Sequence, residues 1–223
     1  MRDGPNAALA ASRPAFWVQA KRRLSAADPV LGTIIRGHPR IALRPRGDAF
    51  YTLARSIVGQ QISVKAADSV WMRVCDACGE PSPRSVLRRR ATTLRACGLS
   101  ERKAEYLRDL AAHFADGRVD QARLAGMSDD QVIERLTDIR GIGRWTAEMF
   151  LIFNLLRPDV LPLDDLGLLK AVGRHYLSGR TPASLLKGEG RGRVVELARC
   201  WIPYRSVATW YLWRSMEPVP VDY

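Results

Sequence analysis

The 223-residue sequence predicts an all-α protein of many short helices. Three observations carry that expectation. Apolar residues recur at helical spacing in most segments, no convincing run alternates in the way a strand requires, and Ser, Asp, Gly and Pro punctuate the segments where helices start and stop.

The helices follow in order. Short Pro-flanked pieces before residue 49 (Pro14, Pro29, Pro39, Pro45) predict brief helices and turns. Ala49–Gly59 places Phe50, Leu53, Ala54, Ile57 and Val58 on one face. Ser63 is a candidate N-cap for a helix over Val64–Cys75. Leu94–Cys97 runs into the stop Gly98. Ser100 caps Glu101–Phe114, with Ala104, Leu107, Leu110 and Ala111 inward and Glu101, Arg102, Lys103 and Glu105 in water. Ser128 opens the next helix, to Leu136. Trp145–Leu156 is apolar on most faces and therefore buried. Asp165–Tyr176 and Pro203–Met216 complete the set, Pro203 suiting a first turn where its missing N–H costs nothing.

Composition narrows the function. Apolar residues make up 47% and charged residues 26%, enough apolar surface for a folded core. No stretch approaches the roughly 18 uncharged apolar residues of a membrane span, and residues 1–16 lack a secretory h-region. Neither an integral membrane protein nor a secreted one is expected. The net charge is +12, with nine Lys/Arg against three Asp in the first 50 residues. Such a chain seeks a polyanion, nucleic acid first. Cys75 and Cys78 have metal-ligand spacing, but no second pair and no nearby His completes a zinc set. They read as reduced thiols. His38, His113 and His175 fall in no ligand spacing, and Arg88–Arg90 reads as a solvated face.

The most informative segment is 136–147, LTDIRGIGRWTA. A helix ends, a Gly-Ile-Gly hairpin follows and a new helix begins. Gly141 and Gly143 permit positive φ and remove Cβ atoms from the surface. Backbone N–H groups at the second helix's start make an anion site suited to a DNA phosphate without base preference. About twenty residues on, 160–170 reads VLPLDDLGLLK. One of the adjacent Asp164 and Asp165 can cap a helix while the other faces a cleft.

With these blocks, the sequence resembles the helix-hairpin-helix DNA glycosylases that carry a Gly/Pro-rich loop and an essential Asp, nearest the 3-methyladenine DNA glycosylase II group. The resemblance runs from about Phe50 to Met216. It rests on 57–63 (IVGQQIS), 94–104 (LRACGLSERKA), the hairpin with Pro162 and the Asp pair, and 201–206 (WIPYRS) onward to Trp213. It implies two helical subdomains with the active-site cleft between them. Some members carry an N-terminal β domain, for which the segment 1–48 is too short. That basic segment is expected to pack on a glycosylase body of residues 49–223, with the hairpin at 136–147.

The site residues follow from the same resemblance. Asp165, heading the helix after the Pro loop, is the catalytic carboxylate in preference to Asp164. Gly141, Ile142, Gly143 and Thr146 form the DNA-binding hairpin, and Gln61 falls where members insert a side chain into the duplex. Trp145, Met149, Leu166 and Trp213 map to the flipped-base pocket, whereas Trp201 and Trp210 read as core. A monovalent cation is implied at the main-chain carbonyls of Thr137, Ile139 and Gly141. No other cofactor is required, and with only Cys200 near the C-terminus no iron–sulfur cluster is expected. Strand-cutting members carry Lys two residues after the second hairpin Gly. Here Trp145 stands there, so a monofunctional enzyme is expected. The implied activity is hydrolysis of the N-glycosidic bond of alkylated purines, of the 3-methyladenine and 7-methylguanine type, flipped from double-stranded DNA. A monomer in the cytoplasm, at the nucleoid if bacterial, is the corresponding setting. The competing readings are a glycosylase for uracil, hypoxanthine or a mismatched base, and a non-enzymatic DNA-binding module on the same hairpin.

Overall fold

A computed structural model describes residues 13–216, and among them there are helices and no strands. Residues 1–12 of the basic N-terminal segment lie outside the described residues. The chain divides into two compact units, one made of residues 1–45 and 155–223 and the other of 46–154. The described part of the N-terminal segment, residues 13–45, falls in the same unit as the chain after residue 154.

The first unit opens with α1 (Trp17–Ala27) and α2 (Pro29–Gly37), two well-formed helices where only brief ones were expected. Trp17, Ala20 and Leu24 form the buried face of α1. Asp28 joins the two helices. Its Oδ1 accepts from the Leu31 N–H at 3.0 Å and caps α2, with Pro29 at the first position. Its Oδ2 accepts from the Tyr176 hydroxyl at 2.7 Å and the Trp201 indole N–H at 2.8 Å. A carboxylate only 4% exposed persists there because its oxygens are hydrogen-bonded.

The second unit holds α3 (Ala49–Gly59), α4 (Val64–Cys78), α5 (Pro83–Leu87), α6 (Ala91–Ala96), α7 (Glu101–Ala115), α8 (Gln121–Ala125), α9 (Asp129–Thr137) and α10 (Arg144–Phe153). Ser63, Ser100 and Ser128 are the N-caps of α4, α7 and α9, as their positions predict, and Ser128 forms a capping box with Gln131. The core is the apolar face of α3 (Leu53, Ala54, Ile57, Val58) with Leu107, Leu110 and Ala111 of α7 and Phe150, Leu151 and Ile152 of α10, all buried. Arg88, Arg89 and Arg90 are exposed, as a solvated face requires.

The chain returns to the first unit with α11 (Leu166–Tyr176), α12 (Pro182–Leu185), α13 (Gly188–Leu197), a 3₁₀ turn over Ala198–Trp201, and α14 (Arg205–Arg214). Helix α14 is buried from Ser206 through Leu212 and packs on α2 and α11. The Trp17 ring meets Trp210 edge-on at 5.2 Å and lies 5.7 Å from Tyr211, so α1 is fastened to this helix by aromatic packing. Trp201 and Trp210 are core residues, as expected. Pro203, expected in the first turn of α14, stands before it. The Tyr204 N–H closes a turn onto the Trp201 carbonyl at 2.7 Å, and the helix begins only at Arg205.

Candidate active site and nucleic-acid interface

In the first unit, the loop ahead of α11 is fixed by the start of α14. Arg205 pairs with Asp159 through Nε to Oδ1 and Nη2 to Oδ2, both 2.8 Å. Ser206 Oγ donates to the Arg157 carbonyl at 2.6 Å and accepts from the Val160 N–H at 2.9 Å. The Asp165 N–H then bonds to the Pro162 carbonyl at 3.0 Å. Residues 157–165 are therefore held at several points, and Asp165 arrives at the mouth of α11 on a rigid arm.

Asp165 is the N-cap of α11 and only 8% exposed. One oxygen, Oδ1, accepts from the Leu168 N–H at 2.6 Å and from the Trp213 indole N–H at 2.7 Å. Two donors on one oxygen fix the carboxylate plane, and the helix N-terminus complements its negative charge. Gly167 makes this possible, since a Cβ there would lie 3.1 Å from both Asp165 Oδ1 and Trp213 Cδ1. Trp213, expected as a wall of the base pocket, is thus tied to the carboxylate itself. Leu166 is 59% exposed beside it. Asp164 behaves differently. It is half-exposed and paired with Arg191 at 2.7 Å.

The second unit carries the hairpin. Helix α9 runs to Thr137, and α10 starts at Arg144 with Gly143 as its N-cap, which brings no capping side chain. Gly141 has φ +86, and a Cβ on it would fall 2.3 Å from Tyr106 Cδ2. Gly143 has an ordinary φ of −94, so the expected need for positive φ holds for Gly141 alone. What Gly143 provides is space, since nothing lies within 4 Å of its missing Cβ. The Ile142 N–H bonds to the Ile139 carbonyl at 3.1 Å and the residue is 4% exposed, so it anchors the turn from inside. Thr146 is buried one residue beyond Trp145, which is 42% exposed, and Met149 is half-buried one turn on.

Behind the hairpin is a set of contacts that no local pattern announces. The Arg140 N–H donates to Asp109 Oδ2 at 2.9 Å. Gln60 Nε2 donates to the Gly141 carbonyl at 2.8 Å. Lys103, expected on the wet side of α7, is half-buried and donates to the Val58 and Gln60 carbonyls at 2.8 and 2.6 Å. Burial pushes its ammonium down from the usual lysine range. Gln61 is exposed with φ 59, a left-handed conformation uncommon for a residue with a side chain.

The carbonyls considered for a monovalent cation are in part engaged. Gly141 accepts from Gln60 and Ile139 accepts from Ile142. Each carbonyl keeps a second lone pair. Among the described residues no group of three or more His, Cys, Asp or Glu could hold a metal. Burial raises the Cys75, Cys78 and Cys97 thiols above their ordinary range.

A capped, buried Asp after a Pro loop and a helix-hairpin-helix define a class. Residues 54–187 match the family model of the HhH-GPD superfamily base excision DNA repair proteins, and the chain belongs to that family. Within it, the chain is 36% identical over 174 residues to DNA-3-methyladenine glycosylase 1 of Schizosaccharomyces pombe, covering 76% of this chain and 73% of that one. Across three such relatives it spans 66%, 73% and 95% of their lengths. A crystal structure of a DNA-3-methyladenine glycosidase from Bacillus halodurans superposes with a TM-score of 0.79 at 36% identity, covering 89% of both chains. The S. pombe 3-methyladenine DNA glycosylase in complex with abasic DNA gives 0.72 at 31% identity, covering 92% of this chain and 98% of that one.

Proposed function

We propose that the chain is a monofunctional DNA glycosylase of base excision repair that releases alkylated purines, of the 3-methyladenine and 7-methylguanine type, and leaves an abasic site. The observation that carries this reading is Asp165, a buried carboxylate oriented by Leu168 and Trp213 at the head of α11 in a chain of this family. A carboxylate so placed stabilises the oxocarbenium charge that develops as the glycosidic bond breaks, or activates the attacking water. Purines alkylated at N3 or N7 carry positive charge, leave readily and need no acid. Within the first unit, exposed Leu166 and half-buried Trp213 beside Asp165 supply apolar and aromatic surface for a flipped base, and a cationic base gains about 1–2 kcal/mol from an aromatic face. First-turn amides of α10 beyond Gly143 would hold a phosphate of double-stranded DNA, and Gln61 would fill the gap in the stack. Trp145 replaces the Lys of strand-cutting members, so no Schiff base forms there. No cofactor enters the reaction, and one protein molecule suffices for one lesion.

The decisive experiment is base release by wild type and Asp165→Asn on duplexes carrying 3-methyladenine, 7-methylguanine, hypoxanthine or uracil. Wild type should release the alkylated purines and nick the strand only after alkali or heat. Asp165→Asn should bind the same duplex and release base at least about 100-fold more slowly. Uracil release without 3-methyladenine release would overturn the substrate, nicking without alkali the monofunctional reading, and unchanged release by the variant the role of Asp165.

A further inference from the structure

Helix α7 holds two DNA-facing features of the second unit from successive turns. Lys103 grips the end of α3 and the loop behind Gln61, Tyr106 packs against Gly141, and Asp109 receives the Arg140 N–H. Lys103 to Asp109 is six residues, about 9 Å of helix axis. Gln60 closes the set, because its main-chain carbonyl is bound by Lys103 while its side chain is bound to the hairpin at Gly141. The insertion loop and the phosphate-binding hairpin are thereby fixed to one ruler.

We propose that Lys103 is a positioning residue for nucleotide extrusion: by clamping the Val58 and Gln60 carbonyls it holds the Gln60–Gln61 peptide in the orientation that aims Gln61 into the duplex, at a set distance from the hairpin. The chemistry of the contact supports this. Val58 and Gln60 stand at the C-terminal end of α3, where carbonyls lack intrahelical partners and a cation is favoured. The next residue, Gln61, takes a left-handed φ of 59 that costs about 1 kcal/mol and persists only where its surroundings impose it. Lys103 is half-buried and spends two donors on main-chain carbonyls of α3 and its C-cap. The inference rests on the proposed glycosylase function, and it assigns Lys103 to extrusion and to no step of bond cleavage.

The test separates those steps. Single-turnover base release is measured for wild type, Lys103→Met and Lys103→Arg on one alkylated purine in two settings: paired within a duplex, and unpaired in a single strand. With Lys103→Met, release from the paired lesion should slow by about 10- to 100-fold and from the unpaired lesion by less than about 3-fold, since only the first requires extrusion. Lys103→Arg, which can still donate to both carbonyls, should recover most of the paired rate. Equal slowing on both substrates, or full activity of Lys103→Met on the paired one, overturns the proposal. If Lys103→Met does not fold, as judged by its thermal melt, Lys103→Gln, whose shorter amide cannot grip both carbonyls, reads the same contrast. Wild type releasing no base from either substrate would instead be failure of the proposed function.

Discussion

At the scale of single residues, the carboxylate of Asp165 is shaped by a tryptophan and a glycine. Trp213 donates to the same oxygen that caps α11, and Gly167 leaves the room this needs. Trp213→Phe keeps an aromatic ring, a smaller one, and removes the N–H. It is expected to lower the single-turnover rate about 10-fold with little change in DNA affinity. Gly167→Ala should act the same way by pushing the indole off the carboxylate. A loss of affinity without loss of rate would mean that Trp213 serves the base and not Asp165. The motif made Asp165 and Trp213 visible as separate members of a site. The bond between them spans 48 positions and could not be read from spacing, because an indole on an apolar helix looks the same whether it packs or donates.

At the scale of elements, the hairpin depends on two glycines for different reasons. Gly141 needs its positive φ and sits against Tyr106, whereas Gly143 has an ordinary backbone and an open face. Gly141→Ala should destabilise the fold by about 1–3 kcal/mol in urea unfolding. Gly143→Ala should leave stability unchanged and weaken DNA binding, because its methyl group would stand where a phosphate approaches. Helices with a regular apolar face and a Ser cap were legible to within a few residues, as in Ala49–Gly59, where the boundaries coincide. Helices α1 and α2 were read as fragments because Pro14, Pro29 and Pro39 suggested interruption, while Pro29 in fact opens a helix that Asp28 caps. Lys103 was misread for another reason. Lysine at a helix start is ordinarily wet, and the carbonyls that bury it come from a helix more than 40 positions earlier.

At the scale of the whole molecule, Asp28 ties the N-terminal segment to α11 through Tyr176 and to the 3₁₀ turn through Trp201. Burial and the bond to Asp28 push the Tyr176 phenol well above its ordinary range. The unfolded chain ionises this phenol near pH 10, the folded one only at much higher pH. Its contribution to stability is therefore complete below about pH 10 and declines above it. Thermal melts should show that decline in wild type and a weaker one in Tyr176→Phe. Asp28→Ala should cost about 3–5 kcal/mol at neutral pH, since it leaves two buried donors unpartnered and uncaps α2. The basic N-terminal segment also lines a cavity of about 450 Å³ with Arg13, Lys21, Arg40 and Arg44 around Trp17. Four of the nine Lys/Arg of the first 50 residues therefore sit on a folded surface.

The division of the chain also sets an order of events during synthesis. Residues 46–154 form one uninterrupted unit, so its internal contacts wait for nothing beyond residue 154. The other unit is split, and Asp28 waits for Tyr176 and Trp201, which a ribosome delivers well over a hundred residues later. The hairpin and the Lys103 clamp need no residue beyond 154, whereas Asp165 waits for Trp213 to orient it. The surface proposed to hold DNA can therefore be in place before the group proposed to act on a base is oriented.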